Sequence, residues 1–107
     1  MVKIPSEIME LIQKYIDLIK RDVRIEKVIL FGSYAKGTFQ KGSDIDLAII
    51  SPDFKEEECI ENMTTLLCIA NVIKADIQSV PFSIAEYNEP KGIMEEILRT
   101  GVELKVA

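Results

Sequence analysis

The stretch LFGSYAKGTFQKGSDIDLAII, Leu30 to Ile50, couples a Gly-Ser turn to a pair of acids one residue apart, and its reading decides the fold. From Asp44 to Ile50 the residues alternate as a strand does, so Asp44 and Asp46 project from one face, roughly 6.6 Å apart at ~3.3 Å rise per residue. Two carboxylates held that close on a stiff element repel one another unless a cation lies between them. An oxygen-only pair suits Mg²⁺, which is commonly held by one or two carboxylates together with substrate phosphates. Ten residues upstream, Gly32-Ser33 closes an apolar β-type run, Val28 to Phe31. Such a turn offers backbone N–H groups, a hydroxyl and, where a helix starts, a positive dipole end to a phosphate. Either half alone is ordinary, since Gly-Ser marks turns widely and Ser43-Asp44 also suits a turn. Their conjunction outlines a nucleotide–metal site.

Working outward, Ile4, Ile8, Leu11, Ile12, Tyr15 and Ile19 recur at helical spacing and predict an amphipathic helix over Ser6 to Asp22. Arg24 to Phe31 reads as the first strand and Asp44 to Ser51 as the second, with Gly37 and Gly42 keeping the intervening loop pliable. Pro52-Asp53 breaks the second strand, and Asp53 or a neighbour is placed to cap a helix opening with Glu56-Glu57-Glu58. The acidic run suits the positive end of a helix and solvent. That helix is predicted to turn Ile60, Met63, Leu67, Ala70 and Ile73 toward the core. A third strand is expected over Ala75 to Pro81, with Asp76 and Gln78 on one face. Pro90 starts a last helix, Gly101 ends it, and Val102, Leu104 and Val106 alternate as a final strand.

The expected fold class is α+β, a small mixed sheet of three to four strands flanked by helices. A length of 107 residues sets one domain, 1–107, with the N-terminal helix at about 5–22, a catalytic core at about 25–82 and a closing helix and strand at about 90–106. Met9, Phe54, Phe82 and Tyr87 are assigned chiefly to the core, with a partner surface as the alternative. No apolar run approaches a membrane span and no signal peptide is legible, so a cytosolic protein is expected. Cys59 and Cys68 lie nine residues apart on a helix, about 13 Å at ~1.5 Å rise, too far to pair with each other there. With no histidine in the chain they read as reduced, core or half-buried thiols. Net charge is −5, with 18 acidic against 13 basic residues and no basic cluster, which argues against gripping a nucleic-acid backbone. Lys36 and Lys41, between the turn and the acids, suffice for a triphosphate.

The Gly-Ser, ten-residue, Asp-x-Asp pattern resembles the signature of the DNA polymerase β-type nucleotidyltransferase superfamily. More narrowly, it is similar to the minimal nucleotidyltransferase (MNT) proteins, and IMEEILRTGVELKV resembles their closing helix and strand. The resemblance runs from about Val28 to Val106. It implies a polymerase β-like fold in which Asp44 and Asp46 ligate two Mg²⁺ ions, Asp76 on a later strand joins them as third acid, and Gly32, Ser33, Lys36 and Lys41 meet the nucleotide, ATP by analogy. One departure is Lys36, where many members carry arginine; lysine keeps the charge and loses bidentate phosphate geometry. The resemblance also implies a partner, a HEPN-domain toxin that the MNT protein restrains by transferring AMP to a tyrosine. A nucleotide-binding antitoxin acting by contact alone and a two-subunit small-molecule nucleotidyltransferase are the competing expectations.

Overall fold

The computed structural model describes residues 4–40, 42–74 and 76–105. Helix α1, Ser6–Ile19, follows the apolar stripe and buries Ile12, Tyr15, Ile16 and Ile19. The chain then enters strand β1, Lys27–Phe31, three residues later than its β-type composition suggested. Arg24 is instead held outside the sheet: its backbone N–H and guanidinium both donate to the Asp53 carboxylate, at 2.8 Å and at 2.7–3.1 Å. Asp53 is thereby occupied as an anchor for Arg24, and the helix expected to use it as a cap opens without a side-chain cap.

A four-residue helix, α2, Ser33–Lys36, follows Gly32, and Gly37 ends it with a left-handed φ of 78°. Strand β2, Ile45–Ile50, runs back antiparallel to β1, with Phe31 opposite Asp46. The acidic triplet Glu56–Glu58 forms a 3₁₀ turn, and α3 proper spans Cys59–Val72. Strand β3, Ile77–Phe82, pairs parallel to β2. Helix α4, Ile84–Asn88, was not foreseen; its signal is local, a capping box in which Ser83 Oγ accepts the Glu86 N–H and the Glu86 carboxylate accepts the Ser83 N–H. Helix α5, Ile93–Thr100, begins three residues after Pro90 and stops at Gly101. Strand β4, Val102–Leu104, pairs antiparallel with β1; the expected extension to Val106 lies outside the described residues.

The sheet order is β3-β2-β1-β4. Strand alternation divides the core into two layers. Val28, Leu30, Leu47, Ile49 and Ile77 pack against α1, α2 and the inner side of α3, whereas Ile29, Ala48, Ile50 and Phe82 pack against Met94 and Ile97 of α5. Phe54 and Phe82 are core residues, Tyr87 is half-buried, and Met9 is exposed. Tyr15 ties the first layer together. Its hydroxyl reaches the Leu66 carbonyl of α3 at 3.1 Å and Ser79 Oγ of β3 at 2.7 Å, and burial raises its pKa above the ordinary tyrosine value.

Helix α3 departs most from its predicted packing. Leu66 and Ala70 are its buried residues, while Ile60, Met63 and Leu67 stand 79%, 47% and 60% exposed. The inward side carries Leu66 and Ala70 with Ile69 and Ile73 packed beside them, and the Tyr15 hydroxyl bonds the Leu66 carbonyl there. Cys59 and Cys68 are free, as expected, but exposed, not the core or half-buried thiols expected. No helix among the described residues is long and apolar enough to cross a membrane.

Candidate active site

The end of β1 and the start of β2 lie side by side because the strands are antiparallel, and β3 begins at the same end because it is parallel to β2. The motif therefore converges by topology: the Gly-Ser turn leaves β1 where Asp44 and Asp46 enter β2. Asp46 lies in the strand opposite Phe31, half-buried, and shares the face of Ala48 and Ile50. Asp44 is exposed, just ahead of the strand.

Gly32 makes the closest approach. Its backbone sits at φ 74°, ψ −149°, a conformation essentially reserved for glycine. A Cβ there would overlap the Asp46 carboxylate, falling 3.1 Å from its Cγ and closer still to Oδ2. The missing side chain is thus what lets the turn and the acid touch. Ser33 opens α2 and is half-buried, and Lys36 is exposed in the last turn of that helix. Lys41 lies outside the described residues.

Electrostatics mark the pair as charge-strained. Burial raises the Asp46 carboxyl above the ordinary aspartate range, and the neighbouring Asp44 charge pushes it the same way. Asp44 is steadied by Gln78, whose amide Nε2 donates to Asp44 Oδ2 at 3.1 Å. Gln78 stands in register with Asp46 across the parallel pair. The sequence places Gln78 on one face with Asp76; the parallel register that sets it beside the acids comes from the fold.

Asp76 is placed differently from the pair. It precedes β3 and is exposed, and its backbone carbonyl accepts the Ile45 N–H at 2.9 Å, tying the start of β3 to that of β2. Among the described residues no three carboxylate, cysteine or histidine side chains gather closely enough to hold a metal. The carboxylates brought together are therefore Asp44 and Asp46. An oxygen-only pair, one member destabilised in its charged form and open to solvent beside a glycine turn, fits Mg²⁺ that completes its shell with phosphate oxygens.

Comparison with known proteins speaks to the family and the fold. Over 103 residues the chain is 32% identical to MJ0141 of Methanocaldococcus jannaschii, named a protein adenylyltransferase, covering 92% of this chain and 99% of that one. A Sulfolobus solfataricus structure described as a nucleotidyltransferase superposes with a TM-score of 0.70 at 19% identity, covering 92% of this chain and 79% of that one. A chain from the complex of tri-AMPylated Shewanella oneidensis HEPN toxin with MNT antitoxin superposes with a TM-score of 0.52 at 20% identity, over 92% of this chain and 72% of that one. The profile of the family "Polymerase beta, Nucleotidyltransferase" matches residues 7–106. The four-stranded mixed sheet with its helices is accordingly a polymerase β-like fold, and the chain belongs to the polymerase β nucleotidyltransferase family.

Proposed function

We propose that this nucleotidyltransferase moves AMP from ATP to a hydroxyl of a protein, and that the acceptor is a tyrosine of a HEPN-type toxin which it thereby restrains. The observation that carries the reading is the contact between Gly32 and the Asp46 carboxylate, which joins a phosphate-type turn to an acid pair. Asp44 and Asp46 would hold Mg²⁺, and Asp76, just ahead of the neighbouring strand at the same end of the sheet, is the further acid that the resemblance assigns to the site. When bound, the metal supplies positive charge to the triphosphate. Gly32 and Ser33 offer backbone and hydroxyl donors to phosphate oxygens, and Lys36 offsets charge on the departing pyrophosphate. Gln78 holds Asp44 in place through its amide. In the transfer, the acceptor oxygen bonds to the α-phosphorus as the bond to pyrophosphate breaks, and the hydroxyl proton passes to a carboxylate of the acid set.

The acceptor assignment draws on the protein adenylyltransferase name of the M. jannaschii relative and on the AMPylated toxin of the Shewanella complex. Intact mass of a HEPN partner mixed with ATP and Mg²⁺ tests it. Wild type is expected to add one or more AMP units, and an Asp44→Asn/Asp46→Asn variant none. Transfer by the double variant at the wild-type rate would sink the mechanism. The exposed apolar residues of α3 favour a second reading, an antitoxin that neutralises by contact; suppression of toxicity by both versions without a mass change would select it.

A further inference from the structure

Beside the acid pair runs a groove of about 550 Å³, walled by Ile60, Met63 and Leu67 of α3 and floored by Ile77 to Val80 of β3. Its wall is the side of α3 that the fold leaves uncovered. Its floor is a sheet edge that no strand among the described residues covers, since β3 is the first strand in the sheet order. The parallel register settles which peptide groups are free. The carbonyls of Asp76 and Phe82 accept N–H groups from Ile45 and Ser51, so the even-numbered residues of β3 pair with β2. Ile77, Ser79 and Pro81 then present their backbone to the groove. Pro81 has no N–H to give, so the usable edge is short and lies toward the catalytic end.

The geometry points to this groove as the acceptor-docking site: an extended segment of the protein substrate adds a strand to β3, seats alternate apolar side chains on Ile60, Met63 and Leu67, and delivers its hydroxyl residue to the acids. The inference rests on the reading of the chain as a protein-modifying transferase. Continuity decides the occupant. Gln78 lines the groove and also bonds Asp44, so a chain lying along Ile77 and Ser79 is within a residue or two of the acid pair. Free backbone donors and acceptors call for a peptide, because apolar walls alone would suit any hydrophobic ligand. Charge orients it. The acidic run Glu56–Glu58 and Glu61 lies at the opposite, N-terminal end of α3, which favours a segment with lysine or arginine on that side of its apolar residues.

The test uses α-³²P-labelled ATP, Mg²⁺ and a library of extended peptides, each with one tyrosine and a single flanking position varied. Labelling is expected to select apolar residues at alternate positions and a basic residue on one side only. Backbone N-methylation of the best peptide should be tolerated at every second residue, the signature of strand pairing. Met63→Glu and Leu67→Glu, both at exposed positions, are expected to raise KM for that peptide about tenfold or more, with ATP affinity measured alongside as the folding control. Peptide labelling that is indifferent to both variants, N-methyl tolerance without alternation, or ATP binding with no peptide labelled by wild type would each overturn the groove. Labelling that survives Asp44→Asn/Asp46→Asn would instead overturn the transferase reading on which it rests.

Discussion

At the scale of single residues, the site depends on an absent side chain. Gly32 combines a φ of 74° with a carboxylate where its Cβ would be, so Gly32→Ala meets two independent penalties. The backbone strain alone costs about 1–3 kcal/mol, and relief of the overlap requires Asp46 to move. Urea denaturation should show that loss of stability, and nucleotide transfer should fall much further than stability does. Gly42 provides the control. It too has a positive φ, 89°, but a Cβ there meets nothing within 4 Å, so Gly42→Ala should carry strain without touching the site. These residues were legible in the sequence because covalent spacing fixes them: ten residues between turn and acids, and one between the acids. Gln78 and Asp76 were not separable in that way. Both sit on one face of an apolar run, and only the pairing of β3 with β2 shows that the amide of Gln78 reaches Asp44.

At the scale of elements, the connection between α1 and β1 is pinned to the loop after β2 by Arg24 and Asp53. The Arg24 hydrogen bonds hold the Asp53 carboxyl below the ordinary aspartate range. A group whose folded pKa is depressed stabilises the fold above its unfolded value, near ~3.9. That contribution drains away as pH falls through the lower folded value. Thermal melts of wild type and Asp53→Asn should therefore differ at pH 7 and draw together as pH falls below the ordinary aspartate range, and a difference that persisted undiminished in strong acid would contradict the pairing. The pair is exposed, so the effect should be modest and should shrink with salt. The same two residues explain where element boundaries went astray. Propensity placed Arg24 in a strand and Asp53 at a cap; a contact between residues 29 positions apart removes both from those roles. Helix α3 misled for a related reason. Apolar residues occur almost all round it, so periodicity leaves its inward side undecided, and tertiary packing of Leu66, Ala70, Ile69 and Ile73, with the Tyr15 hydroxyl at the Leu66 carbonyl, settles it. By contrast, α1 and α5 have one clear apolar side each, and the strands of the motif are short apolar runs bounded by turn residues, so all were readable as such.

At the scale of the whole molecule, a net charge of −5 and an acidic 3₁₀ turn ahead of an exposed apolar helix face define what approaches easily. A basic polypeptide partner should be steered inward, so its association rate, followed by stopped-flow fluorescence, should drop roughly tenfold or more between low and moderate ionic strength while its dissociation rate changes little. A rate insensitive to salt would mean that the charge plays no part in encounter. The placement of the acids has a further consequence for how the molecule assembles. Strand β2 is central, and Asp46 shares a strand with Ile45, Leu47 and Ile49, which face the layer under α1 and α3. A slip of one residue in its pairing would exchange the two faces, driving that carboxylate into hydrocarbon and forcing three large aliphatic side chains into the layer where Ala48 and Ile50 pack on α5. A chain mispaired in this way is penalised by the very groups it would need for chemistry. The acids thus proofread the sheet that carries them, and a copy able to fold at all is one whose carboxylates already stand at the turn.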